Sequence, residues 1–342
     1  MLSSARFRQA RKIIPLVAVL SAAAGAAYGT LVASEPARGA LQGMVSAALI
    51  ATPAALFEVA VMRGPWGFRL RRSSFTTIVL VRSLAYLAAI LCGLLIGDAL
   101  FGRPRYSLVP LSGSLLRDFG ISFAFSLFFN FFFEVNSALG GRVLRDLVSG
   151  RYHRPRIERR LILFVDLVGS TMAAERVGPT RFLDYLAEFM ADFADPVMAT
   201  RGEIHKYVGD EVIVTWPAED ASASRAIACV FEFADRLRAR GDAYVTAFGL
   251  APAFRAGLHV GDLVVGEIGV WRREIAFLGD AMNVAARLVD TARAEAASFV
   301  ASSEAVADIA LPVGVIARPL GKQALRGRTT EIEVVALERK AA

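Results

Sequence analysis

Apolar and polar residues are distributed in blocks along this chain, and the block size changes near its middle. Before residue 140, four stretches at 13–33, 40–62, 76–101 and 119–139 are nearly free of charge. Each holds the roughly 20 residues a helix needs to cross a hydrocarbon layer. The pattern predicts a four-helix transmembrane domain over 1–140. From Gly140 the periods shorten: Val143, Leu144, Leu147 and Val148 recur at helical spacing and are followed by the breakers Gly150 and Pro155. This predicts a linker helix and turn over 141–158, and a soluble domain over 159–340.

Within that domain, 161–165 is a fully apolar run ending at Asp166, as a buried strand would be. Phe182, Tyr185, Leu186, Phe189, Met190 and Phe193 form one helical face over 180–200. Strands are expected at 203–208 and 211–216 around Gly209-Asp210, and a second helix at 221–240. A hairpin at 254–260 and 263–268 is expected to turn at Gly261-Asp262. A helix at 280–291 and strands near 299–301, 313–320 and 332–337 follow. Strand–helix–strand–strand–helix–strand is the order of a ferredoxin-like α+β layer fold. In that topology strand one lies antiparallel beside strand three, which brings Asp166 to the turn holding Asp210.

Composition narrows the function. Hydrophobic residues make up 55% and charged residues 21% of the 342 positions, which excludes a disordered chain. Cys92 and Cys229 are the only cysteines, both in apolar segments, so a disulfide scaffold or Cys-rich zinc site is excluded. The three histidines, His153, His205 and His259, all follow the apolar half, which excludes a His-ligated membrane haem. The two strand histidines are expected to be structural.

The formal net charge is +7, and its placement argues against nucleic acid as the partner. Arg6, Arg8, Arg11 and Lys12 precede the first apolar stretch, and Arg63, Arg69, Arg71 and Arg72 separate the second from the third. Arg142, Arg145, Arg151, Arg154 and Arg156 follow the fourth, whereas the other two loops carry only Arg38, and Arg103 with Arg105. Positive loops stay cytoplasmic, so the expectation is a multi-pass inner-membrane protein with the N-terminus and the soluble domain in the cytoplasm. A cleaved signal peptide is the alternative for the first stretch; its length and the three later stretches favour a retained span. Glu58, Arg82, Asp98 and Glu134 lie within or near the ends of spans, where charge is costly and often functional.

Asp166 and Asp210 at one rim form a hard-oxygen pair suited to Mg²⁺ or Mn²⁺, although an Asp after Gly is also an ordinary turn residue. Leu167-Val168-Gly169-Ser170-Thr171 then opens a helix, whose backbone N–H groups make an anion site. Together they point to a metal–polyphosphate substrate.

These residues resemble the class III nucleotidyl cyclase catalytic domain. The likeness runs through 164–171 (FVDLVGST), 206–211 (KYVGDE), 256–261 (AGLHVG), 279–287 (GDAMNVAAR) and 325–328 (LRGR). It implies a membrane-anchored adenylate cyclase working as a head-to-tail homodimer on ATP. Asp166 and Asp210, with the Leu167 carbonyl, would hold two metal ions, and the backbone of Val168, Gly169, Ser170 and Thr171 would cradle phosphates. From the partner copy, Lys206 would recognise adenine, Asn283 orient the ribose and Arg287 stabilise the pentavalent phosphate. Arg326 or Arg328 would replace the family's terminal phosphate-binding lysine. Lys206 stands out because the chain has only four lysines among its 39 basic residues. One departure is Ala276, where the family places an Asp or Thr that accepts from the adenine amino group. Guanylate cyclase and a catalytically weak membrane sensor with a nucleotide-binding domain remain the alternatives.

Overall fold

The computed structural model of the protein describes residues 4–62, 70, 75–101, 119–124, 126–128, 130–131, 150–219, 221–271, 273–307, 309–324 and 331–340. The chain divides into two units, Met1–Leu144 and Arg145–Ala342.

The first unit contains α1 (Ser4–Val32), α2 (Pro36–Leu56), continued by a π-helical turn at Phe57–Met62, and α3 (Phe75–Leu100). Glycines set how closely these helices approach. Gly25 and Gly29 of α1 face Gly43 and Gly39 of α2, and a Cβ on any of the four would run into backbone of the opposite helix. Gly93 and Gly97 of α3 lie against Ile50 and Ser46 of α2, whose side chains a Cβ would meet first. Small residues four apart are how helices approach in lipid, where there is no hydrophobic drive between them. Glu58, in the π-helical turn, is paired with Arg82 of α3 at 2.9 Å, so two of the four charges noted in the spans offset one another.

Among the described residues three helices, not the expected four, are long and apolar enough to cross a membrane: Ile14–Val32, Pro36–Met62 and Thr76–Gly97. The fourth expected stretch is described as an apolar helix only over Phe119–Phe128, about 15 Å at 1.5 Å per residue, half the hydrocarbon thickness. Its remainder apart from residues 130 and 131, Glu134 included, and the 141–149 part of the expected linker lie outside the described residues.

The second unit follows the expected order with additions. Its elements are β1 (Arg156–Leu167), α4 (Ser170–Val177), α5 (Pro179–Ala199), β2 (Glu203–Val208), β3 (Glu211–Pro217), α6 (Ser222–Phe248) and β4 (Phe254–Ile268). They are followed by β5 (Glu274–Leu278), α7 (Asp280–Ala294), β6 (Phe299–Ser302), α8 (Ser303–Val306), β7 (Val315–Gln323) and β8 (Ile332–Arg339). The sheet order is β2-β3-β1-β4-β6-β8-β7, with β5 also paired to β4. Its first four strands have the ferredoxin-like order, and β1 lies antiparallel to β3.

Strand alternation divides the core. Leu161, Leu163, Val165 and Leu167 pack with Phe189, Phe193 and Phe233 of α5 and α6. Ile162 and Phe164 point to the other face, beneath Ala281, Ala285 and Val289 of α7. That second face also carries Asp166, so its covering helix determines what surrounds the carboxylate.

The folded sheet departs from the expected pattern at several places. β4 is one continuous strand, not a hairpin. β1 starts at Arg156, ahead of the expected 161, and gives β4 an unbroken partner, with Arg160 opposite Gly261 and Arg159 opposite Asp262. Gly261 serves packing instead: a Cβ there would lie 2.7 Å from the Ala281 Cβ, and one at Gly257 2.6 Å from the Ala285 carbonyl oxygen. Strand β5 was not anticipated, and α6 continues through Gly241 to Phe248.

Candidate active site

The β1 strand delivers Asp166 to the sheet rim, where its Cα partners are Glu211 on β3 and Arg255 on β4. The β2–β3 turn adds Asp210, immediately before Glu211. Burial raises the Asp166 carboxyl above the ordinary carboxylate range, the neighbouring Asp210 charge raises it further, and Arg293 and Arg255 oppose both. Glu211 is pushed up to about 7, first by burial and then by Asp166, Asp210 and Asp290. Like charges placed directly across a strand pair repel, so this rim is short of positive charge. Arg293 of α7 supplies part of it, 3.5 Å from Asp166.

Among the described residues no group of three or more His, Cys, Asp or Glu converges as a closed metal cage. An open pair of carboxylates is what Mg²⁺ accepts, since it keeps water and substrate phosphates in most of its coordination sphere. The donor set therefore fits the expected ion.

Beyond the rim the chain turns through Gly169 in the left-handed region (φ 69°) and enters α4, with no side chain capping the helix. The Val168 N–H donates to the Ala253 carbonyl at 2.9 Å, and the first helical bond is Ala173 N–H to the Gly169 carbonyl at 2.8 Å. The Val168 N–H is thus engaged within the fold, whereas those of Ser170, Thr171 and Met172 precede the helical ladder and project from its start.

Asn283 and Arg287 lie on α7, exposed and half-buried respectively, four residues apart and hence on one face. Gly257 and Gly261 allow that helix to sit directly on β4. Arg326 and Arg328 lie outside the described residues.

Lys206 faces the α7 side because of an irregularity. The β2–β3 register runs Ile204↔Val214 and then Lys206↔Ile213, leaving His205 as an extra bulged residue. A bulge reverses the alternation that follows it, and Ile213 belongs to the cluster under α7. The bulge is held by stacking: the His205 and Phe277 rings are parallel at 4.2 Å, with the Arg160 guanidinium 4.9 Å from the Phe277 centroid. Arg160, buried at 2% exposure, donates to Glu158, Glu203 and Thr215 at 2.9, 3.1 and 2.7 Å. His205 is pushed down to about 4, chiefly by burial, and His259 lies buried 2.8 Å from the Ser302 hydroxyl. Both histidines take structural places, as expected.

Ala276 sits on β5 opposite Gly266. Two residues before it, Glu274 forms a 2.7 Å ion pair with Lys206. Sequence reasoning assigned no role to Glu211, Arg293 or Glu274. The signal for Glu211 was its place beside Asp210; the other two depend on pairings that only the folded chain reveals.

This sheet order, with carboxylates at the end of its first strand and an Asn/Arg helix over the same face, is the fold of class III cyclase catalytic domains. The chain belongs to the family described as the adenylate and guanylate cyclase catalytic domain, whose pattern matches residues 153–338. Adenylate cyclase 2 of Rhizobium meliloti (strain 1021) is 38% identical over 208 residues, 60% of this chain and 57% of that protein. Adenylate cyclase 1 of the same organism is 33% identical over 178 residues, 50% of this chain and 26% of that protein. The chain thus spans between about a quarter and three-fifths of these curated relatives. The solved structure of a bacterial light-regulated adenylyl cyclase superposes with a TM-score of 0.56 at 18% identity, covering 70% of this chain and 72% of that one. This likeness concerns the fold alone.

Proposed function

We propose that this chain is a membrane-bound adenylate cyclase, converting ATP to 3′,5′-cyclic AMP and pyrophosphate at sites shared between two copies. The carrying observation is the rim itself, where Glu211 lies opposite Asp166 across β1–β3 and Asp210 precedes it in the turn, beside the uncapped start of α4. The names of the two Rhizobium meliloti relatives support ATP as substrate.

Asp166 and Asp210, with the Leu167 carbonyl, would hold two Mg²⁺ or Mn²⁺ ions. When bound, these ions supply Lewis-acid activation of the ribose 3′-hydroxyl and neutralise polyphosphate charge. The N–H groups at the start of α4 bind the β- and γ-phosphates, and Arg326 or Arg328 adds charge at the terminal phosphate. The 3′-oxygen attacks the α-phosphorus as the bond to the bridging oxygen breaks; pyrophosphate leaves and the hydroxyl proton passes to water. Arg287 meets the negative charge that develops at the α-phosphorus with a planar two-pronged donor. Asn283 fixes the ribose, and Lys206 reads the base.

The geometry of α7 favours two copies. On α7, Arg293 reaches the Asp166 of its own chain, while Arg287 and Asn283 lie six and ten residues earlier, about 9 and 15 Å along the axis. At about 100° per residue Arg287 also projects roughly 120° away from Arg293. The carboxylates and the Asn/Arg pair of one chain therefore diverge, as two half-sites awaiting complements do. Val270 and Trp271, at the tip between β4 and β5, are fully exposed apolar residues of the kind a second copy covers.

The spans anchor the protein as a multi-pass inner-membrane protein, with the basic clusters and the catalytic domain cytoplasmic. The domains are 1–140 in the membrane, 141–158 as connector and 159–340 as catalytic domain. The full-length protein, purified with Mn²⁺, is expected to form cyclic AMP and pyrophosphate from ATP, and chelation should stop it. A dimeric preparation that forms no cyclic AMP overturns this reading.

A further inference from the structure

We propose that Glu274 is the acceptor half of the base-reading pair, presenting to the purine the oxygen that Ala276 lacks. This deepens the cyclase reading and rests on it. Ala276 is buried and has no polar side-chain atom. Residues two apart on a strand share a face, so Glu274 lies on the Ala276 side of β5, and its carboxylate already meets Lys206 Nζ at 2.7 Å. The position of Lys206 is fixed by the His205 bulge and by the Arg160–Phe277–His205 stack described above.

The pair is suited to opening around a ligand. The side chains of Lys206 and Glu274 are 50% and 40% exposed, and solvent leaves an exposed ion pair little net stabilisation. A base edge can therefore enter with little loss. An ammonium only donates and an ionised carboxylate only accepts. The adenine edge offers an amino donor beside a ring-nitrogen acceptor, so Glu274 takes the amino hydrogen and Lys206 donates to the ring nitrogen. Guanine reverses that order and turns a carbonyl oxygen toward the carboxylate and a ring N–H toward the ammonium, so neither member of the pair meets its complement.

The test uses the full-length protein with Mn²⁺ and reads two ratios of ATP to GTP: kcat/KM for cyclic nucleotide formation and equilibrium affinity by competition. Glu274→Ala and the isosteric Glu274→Gln are expected to lower both ratios about tenfold or more, the cost of one charged hydrogen bond, with the change mainly in KM. Glu274→Ala combined with Ala276→Asp, which moves the carboxylate two positions along the strand, is expected to recover most of the loss. If both ratios in Glu274→Gln stay within twofold of wild type, or shift toward ATP, the proposal is overturned. If the wild-type chain binds nucleotides but forms no product, the cyclase reading alone fails and the affinity ratio judges Glu274. If it binds neither nucleotide, both fail.

Discussion

Arg287 and Lys206 are both cations, yet the roles proposed for them ask different chemistry of each. A guanidinium presents parallel N–H donors to a phosphoryl group, whereas an ammonium is a point charge. Arg287→Lys therefore preserves charge but not geometry. It should lower kcat nearly as far as Arg287→Ala, on the order of 10²–10³-fold, with little change in KM; a lysine variant within tenfold of wild type would refute the two-pronged role. Asp166 and Asp210 were legible in the sequence because an apolar strand ending in Asp and a Gly-Asp turn are local patterns. Glu211 and Glu274 were not, since each owes its place to a partner on another strand: Asp166 across β1–β3, and Lys206 across from β5. Lys206 itself was singled out by composition, but the direction of its side chain depends on the His205 bulge, which nothing in the period of 203–208 announces.

Helices and strands were more legible than the turns between them. The face of α5 and the apolar run of β1 follow from simple periods, and the expected layer order was found. The Gly-Asp pair at 261–262 misled because Gly marks either a turn or a close approach of backbone, and only the partner strand decides which. Here α7 decides it: Ala281 rests on Gly261 and Ala285 on Gly257. A methyl group at either site forces α7 away from β4, because backbone and a short Ala side chain have no room to yield. Gly257→Ala, whose Cβ would meet a carbonyl oxygen, should destabilise the domain by about 1–3 kcal/mol. Since α7 carries Asn283 and Arg287, the surviving folded protein should also lose kcat. A thermal scan alongside turnover at a permissive temperature checks this; an unchanged melting point and full activity would mean the helix is not seated through these glycines.

At the scale of the whole molecule, the question is whether one chain can complete its own site. Within a single copy, the carboxylates at the end of β1 and the Asn283/Arg287 face of α7 are displaced by roughly two helical turns and point apart. In a head-to-tail pair each site would take its carboxylates from one copy and its α7 face from the other. Asp166→Ala and Arg287→Ala should each be inactive alone, for different reasons. Mixed in equal amounts and allowed to exchange, half the dimers would contain one of each, and in those one site carries both defects while the other carries neither. Activity should thus return to about a quarter of the wild-type level at equal total protein. A chain that completes its own site would show no recovery at any mixing ratio, and that outcome would remove the second copy from the mechanism. Recovery near a quarter, lost again when both substitutions sit in the same chain, would assign the metal carboxylates and the phosphate-stabilising arginine of each site to different subunits.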